Sequence, residues 1–201
     1  MKRFTQMNEI HDECENEKYI IEQQVFKPTF QTRTNYEFLG QEEGDIITVL
    51  IDKSKNEIVM SDSVMEKRTN RDFVSEANGD VLVGGLGLGM IILAIQDKAD
   101  VKSITIVEID SVLRDLVMTG LKDKFNDKVE IIINDINHFI PTKKYDTIYC
   151  DIWNDVSDCN WDEMKSLTQK FKHSVNRENE LSSLNHWRKK DTRNMYHHRR
   201  Y

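Results

Sequence analysis

The stretch Val81-Leu82-Val83-Gly84-Gly85-Leu86-Gly87-Leu88-Gly89-Met90 limits the possible folds more than any other part of the chain. Val81 to Val83 form a short apolar strand. Met90 to Gln96 form an almost wholly apolar helix, which must be buried. The glycines between them permit positive φ and remove the Cβ atoms that would hold a ligand away from the backbone. The start of the following helix adds free N–H groups and the positive end of its dipole.

A regular alternation follows. Ser103 to Glu108 is a strand, and Val112, Leu113, Leu116, Val117 and Leu121 mark an amphipathic helix. Val129 to Ile133 and Thr147 to Cys150 are further strands. Strand and helix at this spacing predict an α/β fold, a Rossmann-like open parallel sheet with right-handed crossovers and flanking helices. The continuous apolar runs fit strands buried on both faces. Upstream, residues 8–25 carry Ile10, Tyr19, Ile20, Ile21 and Val25 and predict an acidic amphipathic helix. Ile46 to Ile51, a turn at Asp52 to Asn56, and Ile58 to Met60 predict a β-hairpin. Met65 to Ala77 is helical and stops at Asn78-Gly79-Asp80. Downstream, Met164, Leu167, Phe171 and Val175 mark one more helix, and the polar remainder shows no strand, with Trp187 and Met195 as isolated anchors. The expected organisation is a small N-terminal helix and hairpin unit (1–64), a Rossmann-like domain (65–178) and a basic tail (179–201).

The glycine turn separates competing nucleotide motifs. A phosphate-cradling Walker loop needs Lys and Ser or Thr after its last glycine, and Met90 and Ile91 stand there. The dinucleotide pattern GxGxxG needs glycine at 90 or 92, and Met90 and Ile92 stand there. What remains is GxGxG at Gly85, Gly87 and Gly89, which suits a ligand without pyrophosphate. Glu108 ends the next strand about 20 residues on, where a carboxylate can accept hydrogen bonds from both ribose hydroxyls. Asp135 ends the third strand; it either receives the exocyclic amine of adenine or caps the turn before Ile136. Asp151 ends the fourth. In an open parallel sheet these ends face the crevice where ligands bind. Asp110 opens a helix, and capping is its expected role.

At these residues the sequence resembles the class I S-adenosylmethionine-dependent methyltransferase superfamily, and within it the spermidine synthase-like branch. The similarity spans roughly residues 46–155. Ile58-Val59-Met60-Ser61-Asp62 through Asp72-Phe73, the glycine loop, Val107-Glu108-Ile109-Asp110, Asn134-Asp135 and Tyr145-Asp146-Thr147-Ile148-Tyr149-Cys150-Asp151 carry it. The resemblance implies a Rossmann-like domain holding S-adenosylmethionine or its decarboxylated form. It implies that Gly85, Leu86, Gly87, Gly89, Glu108, Ile109, Asp135 and Ile136 form the cofactor site, and that Asp151 is the candidate base. The branch has a second aspartate three places after the first and then proline; here Asn154, Asp155 and Val156 follow. The branch's last two strands would need roughly 50 more residues of α/β sequence. Three functions stay open: a methyltransferase of unspecified acceptor, a spermidine synthase-like aminopropyltransferase, and a non-catalytic nucleoside-binding or interaction protein.

Composition bears on the partners. A net charge of −7 gives no general reason to expect nucleic acid. The segment from Arg188 onward is basic and could touch phosphate, or could be a solvated terminus. Three cysteines without CxxC spacing fit a reducing cytosol, hence a cytoplasmic location, and Cys150 in its apolar strand is expected to be inert. No signal peptide or apolar run long enough for a membrane span is seen. His11 and Cys14 lack a second pair, so no metal is expected. A small nucleoside is the expected partner, with a homo-oligomer possible.

Overall fold

The computed structural model describes residues 4–29 and 40–198. They divide into two compact units interleaved along the chain. The first takes the chain up to Ser75, then Gly87–Ala94 and Asp110–Asn126. It holds a four-stranded antiparallel sheet in the order β1 (Cys14–Glu15), β2 (Tyr19–Val25), β3 (Ile46–Asp52), β4 (Glu57–Ser61). The predicted hairpin is present as β3 and β4, turning through Asn56 at φ +54°. The predicted helix over 8–25 is not. That segment forms β1 and β2, with only a 3₁₀ turn at Met7–Glu9 before them. The reason lies in the period: Tyr19 and Ile21 are buried while Ile20 and Glu22 between them are half-exposed. Aromatic and β-branched residues at period two pair well in a sheet, and β3 supplies the partner edge from Tyr19↔Asp52 to Val25↔Ile46.

Two carboxylates, buried Asp62 and half-buried Asp110, organise this unit. Asp62 accepts the Thr48 amide at 2.8 Å, the Met7 amide at 3.1 Å and the Lys67 ammonium at 3.1 Å. Asp110 caps helix α4 (Ser111–Leu121), accepting from the Val112 and Leu113 amides, and its other oxygen takes the Tyr19 hydroxyl at 2.8 Å and the Lys18 ammonium. Burial pushes the Asp110 carboxyl up, but Lys18 and Tyr19 outweigh it and hold the group below the usual carboxylate range. Earlier helices are α1 (Val64–Thr69), α2 (Arg71–Glu76) and α3 (Met90–Ile95). Gly120 inside α4 is explained by close approach: a Cβ there would lie 2.5 Å from the Ile10 carbonyl oxygen and 2.6 Å from His11 Nδ1. Buried His11 donates from Nε2 to the Leu88 carbonyl at 3.0 Å, and burial lowers its pKa.

The second unit, Glu76–Leu86, Ile95–Ile109 and the chain from Asp127, holds a five-stranded sheet in the order β7-β6-β5-β8-β9. Its strands are β5 (Gly79–Gly84), β6 (Val101–Glu108), β7 (Val129–Ile133), β8 (Thr147–Cys150) and β9 (Ser183–His186), all parallel. The order reverses at β5, which makes the fold α/β and Rossmann-like and puts a topological switch point beside β5. Val81, Leu82, Val83, Ile104, Ile106 and Ile148 are fully buried, as strands covered on both faces require. β7 is an edge, and its side chains stay half-exposed. After α5 (Asn160–Phe171), the chain expected to lack strands adds β9 and then α6 (Lys189–His198). β9 is Ser-Leu-Asn-His, too polar to stand out. Backbone pairing with β8 holds it, and burial of His186 and Trp187 seals it. Arg188, Lys189, Lys190 and Arg193 therefore belong to the turn after β9 and to α6, while Arg199 and Arg200 lie outside the described residues. Among the described residues no helix is long and apolar enough to cross a membrane.

At the amino end of this sheet, buried Asp146 accepts the Asp80 amide at 2.8 Å and the side-chain amides of Asn176 and Asn179 at 2.8 and 2.9 Å. Burial pushes its carboxyl up, but these donors together outweigh that and hold it below the usual range. Asp146→Ala strands three donors and should cost about 2–4 kcal/mol, read as a lower urea midpoint. Because the folded-state pKa is depressed, the ionised group stabilises fully above the unfolded value of about 3.9 and loses that contribution as pH falls through the folded value. Asp146→Asn should flatten this acid dependence; an unchanged midpoint in Asp146→Ala would remove Asp146 from the role.

Candidate functional site

The carboxyl ends of β5, β6, β7 and β8 are tied together by backbone bonds. Gly85 donates its amide to the Val107 carbonyl at 2.9 Å, Asp151 donates to the Gly84 carbonyl at 2.8 Å, and Asn134 donates to the Glu108 carbonyl at 3.0 Å. The turn after β5 is correspondingly tight. Gly85 has φ +95°, and a Cβ on it would sit 2.3 Å from the Asp151 carbonyl oxygen. Ile136 lies over Gly84, its Cγ1 3.1 Å from where a Cβ would be. These ends therefore bring Gly85, Leu86, Glu108, Asp135, Ile136 and Asp151 to one edge of the sheet.

Glu108 is only 6% exposed, and its Oε2 accepts the Leu86 amide at 2.9 Å. A carboxylate at the β6 end is thereby fixed against the glycine turn, with a charge-assisted bond that sets its orientation. Next to it, Ile109 is 67% exposed, an aliphatic side chain turned out of the core immediately beyond a buried acid. Asp135 is more committed than its position alone suggests. It accepts the Asn137 amide at 2.8 Å, and its other oxygen meets His138 Nδ1 at 2.9 Å. The Asn137 amide first, and His138 with it, hold the Asp135 carboxyl below the usual range. Asp135 caps its own turn, one of the two roles its position offers. Asp151 stands half-buried at the β8 end. Gly87 and Gly89 belong to the first unit, where the space for a Cβ is taken by Met60 and Leu121 respectively.

Behind these ends runs a brace with no sequence signature. Glu163 on α5 accepts the Trp153 indole N–H at 2.8 Å and the Asn137 side-chain amide at 3.0 Å, joining the segments after β8 and β7. Trp153 is buried and meets the His186 ring edge-on at 5.7 Å. His186 Nε2 lies 2.8 Å from the Thr168 hydroxyl, which donates to the Met164 carbonyl. With that hydroxyl proton engaged, Nε2 must carry the imidazole proton. Burial first, then nearby Lys189, lowers the His186 pKa to about 4, so the ring is neutral. The one available clue was that a buried tryptophan needs an acceptor for its N–H. Cys150 is fully buried and burial pushes its thiol up to about 12, which leaves it unreactive. Among the described residues no group of three or more His, Cys, Asp or Glu is placed to hold a metal.

The strand ends themselves are acidic, with Lys170 and His138 beside Asp135. Glu108, Asp135 and Asp151 stand at successive strand ends, and residues 84–89, 108–109, 134–136 and 151–153 contain no lysine or arginine. Such an edge suits a ligand that carries positive charge and disfavours a polyphosphate.

No protein-family model matches the chain, and no curated protein does. Solved structures do. One is a Thermoplasma acidophilum protein described as a methyltransferase (24% identity over 48% of this chain and 40% of that one, TM-score 0.38). Another is an S-adenosylmethionine-dependent methyltransferase from Clostridium acetobutylicum ATCC 824 (18% identity, 56% and 46%, TM-score 0.41). A third is the glycopeptide N-methyltransferase MtfA complexed with S-adenosylmethionine (16% identity, 53% and 48%, TM-score 0.41). The chain spans less than half the length of each of these three proteins.

The turn geometry makes a direct prediction. Gly85→Ala combines positive φ with a backbone clash and should cost about 3 kcal/mol or more, read by urea unfolding. Gly84→Ala meets side chains alone, Ile136 Cγ1 at 3.1 Å and Cys150 Sγ at 3.5 Å, and should cost about 1 kcal/mol. Equal costs would contradict the close approach of the β5 turn to the Asp151 carbonyl.

Proposed function

We propose that the protein is a transferase that binds S-adenosylmethionine at the carboxyl edge of the parallel sheet and transfers its methyl group to a small acceptor. The observation that carries this reading is Glu108, a buried carboxylate oriented by the Leu86 amide at the tip of β6, with exposed Ile109 beside it. A carboxylate held there accepts hydrogen bonds from vicinal ribose hydroxyls, and Ile109 offers an apolar face for the base. Ile136 closes the other side over Gly84. The acids of this edge favour a sulfonium cation over a phosphate. The cofactor supplies an electrophilic methyl group on that sulfonium.

The protein's own contribution is positioning. Gly85 and Leu86 bring backbone close to the ligand, Glu108 fixes the ribose, and the adenine end lies toward Asp135 and Ile136. An acceptor amine or hydroxyl held in line with the methyl group gains rate mainly from its orientation. Asp151 takes the acceptor's proton at its carboxylate. An aminopropyl transfer to a polycationic amine would draw on an acid at 154, where Asn154 stands exposed.

Calorimetric titration with S-adenosylhomocysteine tests the reading. Saturable binding is expected, with about 2.7 kcal/mol of added stability when the ligand stands at 100 times its Kd. Glu108→Ala should weaken binding by about 1.5–3 kcal/mol, the range for a hydrogen bond to a charged group. Asp151→Asn should leave that affinity intact and lower methyl transfer about 10²- to 10⁴-fold. Absence of binding by both S-adenosylhomocysteine and S-adenosylmethionine would refute it. Binding only of the decarboxylated nucleoside together with putrescine would replace methyl by aminopropyl transfer.

A further inference from the structure

A second place in the parallel-sheet unit has the features of a ligand site, and it uses none of the residues at the strand ends. Helix α5 turns Met164, Leu167 and Phe171 inward. Its neighbouring stripe, Trp161, Lys165, Thr168 and Gln169, lines a groove of about 520 Å³ with Lys189 at the start of α6. That volume falls in the usual range for small-molecule sites.

The charges in the groove do not balance. Asp162 is taken by Lys165 at 2.6 Å, and Lys165 also stands over the Tyr196 ring, 5.2 Å from its centroid. Among the described residues Lys189 has no carboxylate partner. Its hydrogen-bond partner among the described residues is the Thr168 hydroxyl, at a long 3.5 Å. That hydroxyl is already engaged, donating to the Met164 carbonyl and accepting the His186 proton, each at 2.8 Å. Burial lowers the Lys189 pKa, with Cys150 and Arg193 contributing opposite, smaller effects. A half-buried ammonium with one long bond retains donors that only a solvent molecule or a bound anion can satisfy. Trp161 supplies a flat wall beside it, itself backed by Tyr196 at 6.3 Å and 46°.

We infer that the groove between α5 and α6 binds a small, singly charged planar anion of the aromatic carboxylate class, with its carboxylate on Lys189 and its ring on Trp161. Lys189 is the groove-lining cation without an ion pair among the described residues, and one ammonium takes one carboxylate. The width of an indole face sets the ring size, and Gln169 offers a carboxamide donor at the rim. The inference does not depend on the nucleoside reading, since none of its residues contributes to that edge.

The test is calorimetric titration of the full chain with benzoate, and with benzamide as its neutral isostere. Benzoate is expected to bind saturably at millimolar concentration, and benzamide about tenfold or more weaker. Lys189→Met should bring benzoate down to the benzamide level, and Lys189→Arg should restore it, with thermal unfolding confirming that both variants fold. Trp161→Phe should remove the benzoate-induced change in tryptophan emission. Equal affinity for the two probes, unchanged benzoate binding in Lys189→Met, or no saturable binding would overturn the assignment. S-adenosylhomocysteine binding measured on the same samples reports separately on the sheet edge.

Discussion

The Leu86 amide donating to the Glu108 carboxylate is the interaction on which the geometry of the sheet edge depends. It joins the turn after β5 to the end of β6, the two places from which a Rossmann-like sheet builds a ligand crevice. Gly85 makes that bond possible. Its positive φ turns the chain, and its missing side chain lets the turn press against the Asp151 carbonyl. A side chain at 85 would push the β5 turn away from β8 and carry the Leu86 amide with it. One backbone conformation thus sets the position of a carboxylate on one side and an aspartate on the other.

The three acids at this edge are not equivalent, although the strand pattern presents them alike. Glu108 is buried and accepts the Leu86 amide, so its carboxylate is held against the glycine turn. Asp135 spends both oxygens on its own turn and on His138. Whatever contact it makes with a base must compete with these bonds or pass through the backbone beside it. Asp151 receives its position from the Gly84 carbonyl through its own amide, which fixes the backbone and leaves the direction of the side chain to the local fold. In the proposed reading, the ribose contact at Glu108 therefore rests on firmer geometry than the base contact at Asp135.

Much of this was legible in the sequence because it rests on local rules. Apolar runs of strand length, the helix periodicity of Val112 to Leu121 and the glycines at 85, 87 and 89 gave the parallel sheet and the tight turn after β5. Asp110 was legible as a helix cap from its place before Ser111. Features that depend on distant partners were not. Residues 14–25 pair as strands because β3 offers an edge, and in isolation their apolar residues also fit a helical face. β9 has one aliphatic residue and exists through its ladder with β8. Glu163 gains its meaning only when Trp153 and Asn137 fold onto it. Gly87 and Gly89 show the reverse case: glycines placed by a motif in the sequence answer in the fold to packing by Met60 and Leu121.

The carboxylates enclosed away from the edge, buried Asp62 and Asp146 and half-buried Asp110, explain how so polar a chain keeps one architecture. Asp62 and Asp110 in the first unit, and Asp146 in the second, each gather donors from segments far apart in sequence. Each satisfied cluster adds little net stability, because desolvation offsets most of what its bonds supply. Their effect is on specificity. A slipped strand would leave a buried charge without donors, at a cost of several kcal/mol. The two-residue strand β1 and the polar strand β9 have little apolar area to fix their register, and backbone pairing with β2 and β8 holds them in place. The same reasoning separates Lys189 from these clusters. It is half-buried, and among the described residues its ammonium meets no carboxylate and only the long Thr168 bond, which is the imbalance the proposed anion site rests on.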